Sequence, residues 1–181
     1  LAPMLSNLPG GLLHVNVVGC GIMAAVAGSS AVTCATIGRM SIPELKKRNY
    51  DETLSIGSLA GSGTLGLLIP PSIMLIVYGV LAQVSISRLF IAGVLPGIMI
   101  IFIFMSYIAI RSKLNPSLAP KQNVSYTFLE KIKAARNLLP VVALIFFVLG
   151  SIYGGYATPT EAATIGAVSY THLTLPTNAC V

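Results

Sequence analysis

The sequence predicts an all-α integral membrane protein, and three observations carry that prediction. Only 9% of its 181 residues are charged and 55% are hydrophobic, whereas a soluble domain carries about 25% charged residues. The mean hydropathy is +0.85. The apolar residues are gathered into four long segments with most of the charged ones flanking them. That placement also argues against a nucleic-acid partner for the net charge of +6.

The first apolar segment runs from about Leu12 to Ile37, interrupted by Gly28-Ser29-Ser30, which leaves a short second arm from Ala31 to Gly38 before Arg39. It either crosses once or enters, turns at the glycine-serine cluster and returns. The short arm favours a re-entrant hairpin, because non-helical backbone at membrane depth is tolerated where protein or a water-filled cavity surrounds it. The second segment, Thr53 to Leu81, is too long for one regular helix and contains the break GSGTLGLLIPPS, Gly61 to Ser72. The third, Leu89 to Ile110, fits the roughly 20 residues of a spanning helix, with a kink expected at Pro96-Gly97. The fourth, Leu138 to Tyr156, is slightly short for a span.

Charge sets the orientation. Arg39, Lys46, Lys47 and Arg48 lie between the first two segments, Arg88 alone between the next two, and Arg111, Lys113, Lys121, Lys131, Lys133 and Arg136 before the last. The positive-inside rule places the first and third loops in the cytoplasm and the Ala82–Ser87 loop outside. Within the third loop, Thr127-Phe-Leu-Glu130 fits a capping box. Phe128, Leu129, Ile132 and Ala135 share a face, which predicts a basic amphipathic helix at the cytoplasmic interface. Thr158-Pro-Thr-Glu161 is a second helix start, with Thr158 as cap, Pro159 at the first helical position and Glu161 closing the box. Capping is the stronger reading of Glu161 over a site carboxylate.

The organisation expected is therefore a hairpin region over 1–38, a broken transmembrane helix and a following one over 39–110, a cytoplasmic loop over 111–137, and a transmembrane helix with the start of a further unit over 138–168. The segment 169–181, SYTHLTLPTNACV, is polar and threonine-rich and reads as a non-native tail resembling adapter read-through; His172 and Cys180 are discounted with it. The chain starts at Leu1 with no charged region ahead of an apolar stretch, so it shows no signal peptide and reads as a fragment that begins mid-protein. Three cysteines at irregular spacing give neither a disulfide framework nor a zinc pattern, and Cys20 and Cys34 read as small buried thiols.

The break carries the chemistry. Gly61-x-Gly63-x-x-Gly66 matches a dinucleotide fingerprint literally, but two prolines follow it and no acidic residue stands near 81–87, so that reading fails. A serine hydrolase needs a general base; the one credible histidine is His14, and no carboxylate lies in a span. What fits is an ion and substrate site. Pro70 and Pro71 have no N–H, so in a helix the carbonyls of Gly66 and Leu67 lose their usual partners. Those carbonyls, with the hydroxyls of Ser62, Thr64 and Ser72 around Gly63, are hard oxygen ligands for a small cation. The helix resuming near Pro71 points a positive N-terminus into the break, which favours an anion. Gly28, Ser29 and Ser30, followed by Thr33 and Thr36, offer similar chemistry from the hairpin tip. Two mid-segment breaks in successive segments point to a secondary transporter. The plainer alternative is a scaffold whose glycines and serines only pack helices.

At these residues the sequence resembles a known family. GLLHVNVVGCGIMAAVAGSSAVTCATIGRMSIPEL, Asn49-Tyr50-Asp51, GSGTLGLLIPPSIMLIVYGVLAQVSISRLFIAGVLPG and YGGYATPTEAATIGA look like the DctM-like large membrane (permease) subunit of TRAP transporters, the tripartite ATP-independent periplasmic family. The similarity covers nearly everything from Leu12 to about Val168. It implies an elevator-type secondary transporter of two inverted repeats, each with a hairpin and a broken helix, in a bacterial inner membrane. Sodium is the implied coupling ion, with no other cofactor and no enzymatic activity. The implied substrate is an organic anion, a C4-dicarboxylate or sialic acid, delivered by a periplasmic binding protein, with a small membrane subunit as partner. Under the resemblance, Gly28, Ser29 and Ser30 are the first hairpin tip, and Gly61 to Thr64 with Pro70 to Ser72 the first broken helix; the residues expected to bind the cation are Ser29, Ser30, Ser62, Gly63, Thr64, Gly66 and Leu67, and those expected to bind substrate are Gly28, Thr33, Pro70, Pro71 and Ser72. TPTEA, Thr158 to Ala162, resembles the opening of the second repeat, nearly all of which is absent. Another sodium-coupled anion carrier of inverted-repeat design is the alternative within transport.

Overall fold

A computed structural model describes residues 9–120, 128–158, 160–162, 164–166 and 168, and for 128–138 it describes the helix alone. The side chains of the predicted amphipathic face, the Thr127 cap, Pro159 and the segment 169–181 lie outside the described residues. Helices make up the regular structure of the described residues.

Helix α1, Leu12–Ala27, ends at Gly28, which adopts a left-handed φ of +59° and returns its N–H to the Ala24 carbonyl at 2.8 Å. Glycine is the usual residue for this helix-ending conformation because it has no Cβ to clash. Helix α2, Ser30–Lys47, then runs back alongside α1. Leu45, near the end of α2, packs with Leu13 and Val17, near the start of α1, in one buried cluster with Tyr50, Ile108 and Ala119. The pair is thus a hairpin with both open ends on one side. At 1.5 Å per residue α1 is about 24 Å long, short of the roughly 30 Å of a bilayer core.

The second arm is longer than the sequence reading has it. Instead of stopping at Gly38, α2 continues through Arg39 and Pro43 to Lys47. The fall in hydropathy at Arg39 marks where the surroundings change, not where the helix ends, since Arg, Met, Glu and Lys are good helix formers. Arg48 ties back to Glu44 through an ion pair at 2.6 Å, and Asn49 turns the chain with a φ of +56°.

Helix α3, Glu52–Gly63, starts on Asp51, whose carboxylate accepts the Leu54 N–H at 2.7 Å. A single turn, α4 (Leu65–Leu68), follows; the chain is extended at Ile69, and α5 (Ile73–Leu81) resumes after Pro70, Pro71 and Ser72. The two halves of this segment meet at 41°, so the second apolar segment is a broken helix. Helix α6, Ile86–Leu114, is one 29-residue helix across Pro96. It is long and apolar enough to cross a membrane, and the bent pair around the break passes the same test as a second span. Ile91, Leu95, Phe102 and Ile103 on α6 are more than half exposed, a surface that suits hydrocarbon and not water. Gly93 and Gly97 of α6 let the broken backbone come close: a Cβ on Gly93 would stand 2.7 Å from the Leu68 carbonyl oxygen, and one on Gly97 would stand 2.9 Å from Ile69.

After a 3-10 turn at Pro116–Leu118, helix α7 runs without interruption from Phe128 to Tyr153. The sequence reading divides this stretch into an interfacial helix and a separate span from Leu138. The structure joins them, because nothing between Arg136 and Leu139 breaks a helix, and Pro140 is carried within it. Phe90 of α6, Ile152 of α7 and Ala162 form a second buried cluster.

Candidate functional site

The break and the hairpin tip, 45 residues apart in sequence at Gly28 and Ile73, are in contact. The Ile73 N–H, the first of α5, donates to the Gly28 carbonyl at 3.2 Å. A Cβ on Gly28 would lie 2.5 Å from the Pro71 carbonyl oxygen, and a Cβ on Gly66 would lie 2.6 to 2.7 Å from the carbonyl of Ser29 and the nitrogen of Ser30. Both glycines are therefore required by close backbone approach, and Gly28 also by its positive φ.

Two helices begin at this point. Ser29 and Ser72, both in extended backbone, stand as N-caps of α2 and α5, and neither side chain caps its own helix. Each helix start carries roughly half a positive elementary charge on N–H groups without intrahelical partners. Positive potential thus gathers where the tip meets the break.

The prolines leave their mark as expected, and one orphaned carbonyl finds a substitute. Pro71 has no N–H to give Leu67, and the Leu67 carbonyl accepts the Ser72 hydroxyl at 2.7 Å instead. Ser72 and Pro70 are fully buried. Thr33, one turn into α2, is also fully buried; its N–H donates to the Ser29 carbonyl at 3.0 Å, and its hydroxyl has no partner among the described residues. A hydroxyl can donate one hydrogen bond and accept others, so this one is an open polar group beside the tip.

The predicted cation set divides. Ser29, Ser30, Gly66 and Leu67 lie together around the tip and the break. Gly63 packs on Cys34 of α2, where a Cβ would approach the Cys34 Cβ to 3.0 Å. Ser62 is buried on the side of α1: its hydroxyl donates to the Ser58 carbonyl at 2.6 Å, and its side chain lies beside Cys20. Thr64 is exposed, its hydroxyl bound to the Gly61 carbonyl at 2.6 Å. Two positions apart on a helix, Ser62 and Thr64 point in different directions, and the sequence reading groups them because it cannot see that rotation. Gly61 is a packing residue, with Phe104 of α6 2.8 Å from where its Cβ would stand.

His14 stands at the far end of α1 from the tip. Its Nε2 lies 2.8 Å from the Pro9 carbonyl, and its neighbours include Ile108 and Ser112 around Gly10. Asn16 is a buried amide that the sequence reading passes over; its nitrogen has no partner among the described residues. The signal for it is a lone amide in an apolar arm. At the other end of the chain, Glu161 Oε2 accepts from both the N–H and the hydroxyl of Thr158 at 2.8 Å. Those two bonds hold the Glu161 carboxyl below the usual glutamate range, and the geometry is that of a helix cap.

Comparison with known proteins adds the following. Residues 1–177 match the family model of the tripartite ATP-independent periplasmic transporter, DctM component. The match takes in most of the segment 169–181 that the sequence reading sets apart. The chain is 40% identical over 167 residues to the C4-dicarboxylate TRAP transporter large permease protein DctM of Vibrio cholerae, covering 91% of this chain and 36% of that protein. It is 38% identical over 165 residues to the isethionate TRAP transporter permease protein DctMQ of Oleidesulfovibrio alaskensis, covering 91% of this chain and 26% of that one. It is 33% identical over 159 residues to the ectoine TRAP transporter large permease protein TeaC of Halomonas elongata, covering 88% and 36%. The chain thus spans between about a quarter and just over a third of the length of these relatives.

Proposed function

The chain belongs to the tripartite ATP-independent periplasmic transporter family, as its DctM component, and from that premise we propose that it supplies half of the transport site of a sodium-coupled permease for organic anions. The observation that carries this reading is the seating of the hairpin tip against the helix break, where the starts of α2 and α5 meet. Partial positive charge at two helix starts suits a carboxylate or sulfonate group. Two of the relatives just described are named for anions, a C4-dicarboxylate and isethionate. A C4-dicarboxylate or a sialic-acid-like anion is the proposed substrate class, with Gly28, Thr33, Pro70, Pro71 and Ser72 around it.

Sodium is a hard cation, and neutral oxygens at a broken helix suit it. The hydroxyls of Ser29 and Ser30 and the carbonyls of Gly66 and Leu67 would hold it; Ser62, Gly63 and Thr64 belong to a wider shell. A cation here offsets the negative charge of the substrate beside it, which couples the two binding events. The whole permease would be multi-pass in a bacterial inner membrane, with two inverted repeats moving as an elevator. A small membrane subunit would brace it, and a periplasmic binding protein would deliver the anion.

The test uses the full-length permease with its small subunit and binding protein in proteoliposomes. Labelled C4-dicarboxylate or sialic acid should accumulate with an inward sodium gradient and not with a potassium gradient of equal size. Ser29→Ala with Ser30→Ala should raise the sodium concentration for half-maximal uptake more than Thr64→Ala does. Uptake indifferent to sodium refutes the coupling, and no uptake from a wide panel of organic anions refutes the substrate class.

A further inference from the structure

A groove distinct from the break opens between the start of α3 and the last turns of α6. It holds about 410 Å³, and its lining includes Leu54 and Phe104 as apolar walls, Asp51 at the head of α3, and Tyr107 and Arg111 on α6. Gly57 also lines it, and a Cβ there would meet nothing within 4 Å. We propose that this groove seats an anionic phospholipid, its phosphate paired with Arg111 and an acyl chain lying against Phe104 and Leu54.

Depth is the first reason. Arg111 stands three residues before the end of the apolar span Ile86–Leu114, where hydrocarbon gives way to headgroups. Ile108 packs with Leu45 and Tyr50, so this end of α6 lies beside the end of α2, which carries exposed Lys46 and Lys47. Basic residues gathered at one end of apolar helices mark the anionic, cytoplasmic leaflet. Tyr107, half exposed, has the amphipathic ring favoured at that boundary.

Charge is the second reason. Arg111 is exposed and makes no ion pair among the described residues. The Asp51 carboxylate is already engaged by the Leu54 N–H, and its charge sits against the positive start of α3. The guanidinium is left to a ligand, and its planar fork matches a phosphate. The third reason is the character of the walls. Leu54, Phe104, Ile108 and Leu118 line the groove and give an alkyl chain apolar contact that hydrocarbon needs and a polar solute does not.

The experiment is native mass spectrometry of the full-length permease with its small subunit, delipidated and then given phosphatidylglycerol or phosphatidylcholine. The wild type should retain phosphatidylglycerol in preference. Arg111→Gln should lower the phosphatidylglycerol-bound fraction about five-fold, the worth of one basic side chain at an anionic surface. Gly57→Leu fills the open wall without removing a charge and should lower it comparably, while Lys113→Gln, which alters a residue that does not line the groove, should change it less than two-fold. A loss in Lys113→Gln as large as in Arg111→Gln means diffuse attraction and overturns the proposal. Full retention in Gly57→Leu overturns it too. A photo-crosslinking side chain at Tyr107 should capture lipid in native membranes; capture of a protein segment shows that another part of the complex fills the groove and overturns it as well.

Discussion

Replacing Gly28 with alanine tests the contact between tip and break at its narrowest point. The residue holds a φ of +59°, a region that costs a residue with a Cβ about 1–2 kcal/mol. The new methyl would also stand 2.5 Å from the Pro71 carbonyl oxygen, so one backbone must move. The first bond lost by that movement is Ile73 N–H to Gly28 O, at 3.2 Å, worth about 1 kcal/mol. Together these come to about 2–3 kcal/mol against the seated arrangement, roughly a 30- to 140-fold fall in its population relative to the separated one. The assay is initial uptake by the full-length permease in proteoliposomes, with its amount in the membrane measured in parallel. Gly57→Ala is the control, since a Cβ there meets nothing and glycine within a helix is the less stable residue by about 0.5–1 kcal/mol. Uptake by Gly28→Ala should drop at least ten-fold at comparable protein level, while Gly57→Ala stays near wild type. If Gly28→Ala transports normally, the tip and the break do not work as one site.

Ser72→Ala removes the hydroxyl that serves the Leu67 carbonyl in place of the N–H that Pro71 lacks, and the loss of this part-buried hydrogen bond costs about 1 kcal/mol; the thermal midpoint of the purified permease should fall, and an unchanged midpoint refutes the substitution role. In a permease stripped of native thiols, a cysteine at Gln83 should react with an impermeant maleimide added outside intact cells and one at Lys47 should not, with the reverse pattern inverting the topology. The Glu161 carboxyl is lowered by its bonds to Thr158, so the cap is present in full above the ordinary glutamate range and is lost as pH falls through the depressed value. Carbon-13 titration of Glu161 should show a midpoint below that of free glutamate, and Thr158→Ala should return it towards the ordinary range.

Much of this molecule is legible from local sequence. Composition alone assigns it to the membrane class, because a hydrocarbon solvent selects against charge residue by residue. The break at 61–72 is visible because proline and glycine act on their own backbone and on the carbonyl one turn before. Thr158 and Glu161 are legible as a cap because both partners lie within one turn. The N-cap at Asp51 is equally local, and the sequence reading misses it only by treating Asn49-Tyr50-Asp51 as a family marker. Other features belong to the tertiary structure. That Gly28 must lack a side chain because of Pro71, and Gly66 because of Ser29, follows from two segments meeting across 37 or more residues, and no short window of sequence contains both. The rotation that turns Ser62 towards Cys20 and leaves Thr64 exposed depends on which face of α3 is packed against α1. The continuation of α2 past Arg39 and the union of two expected helices in α7 share one cause. Hydropathy reports the surroundings of a helix, and backbone hydrogen bonds run on across the boundary where those surroundings change.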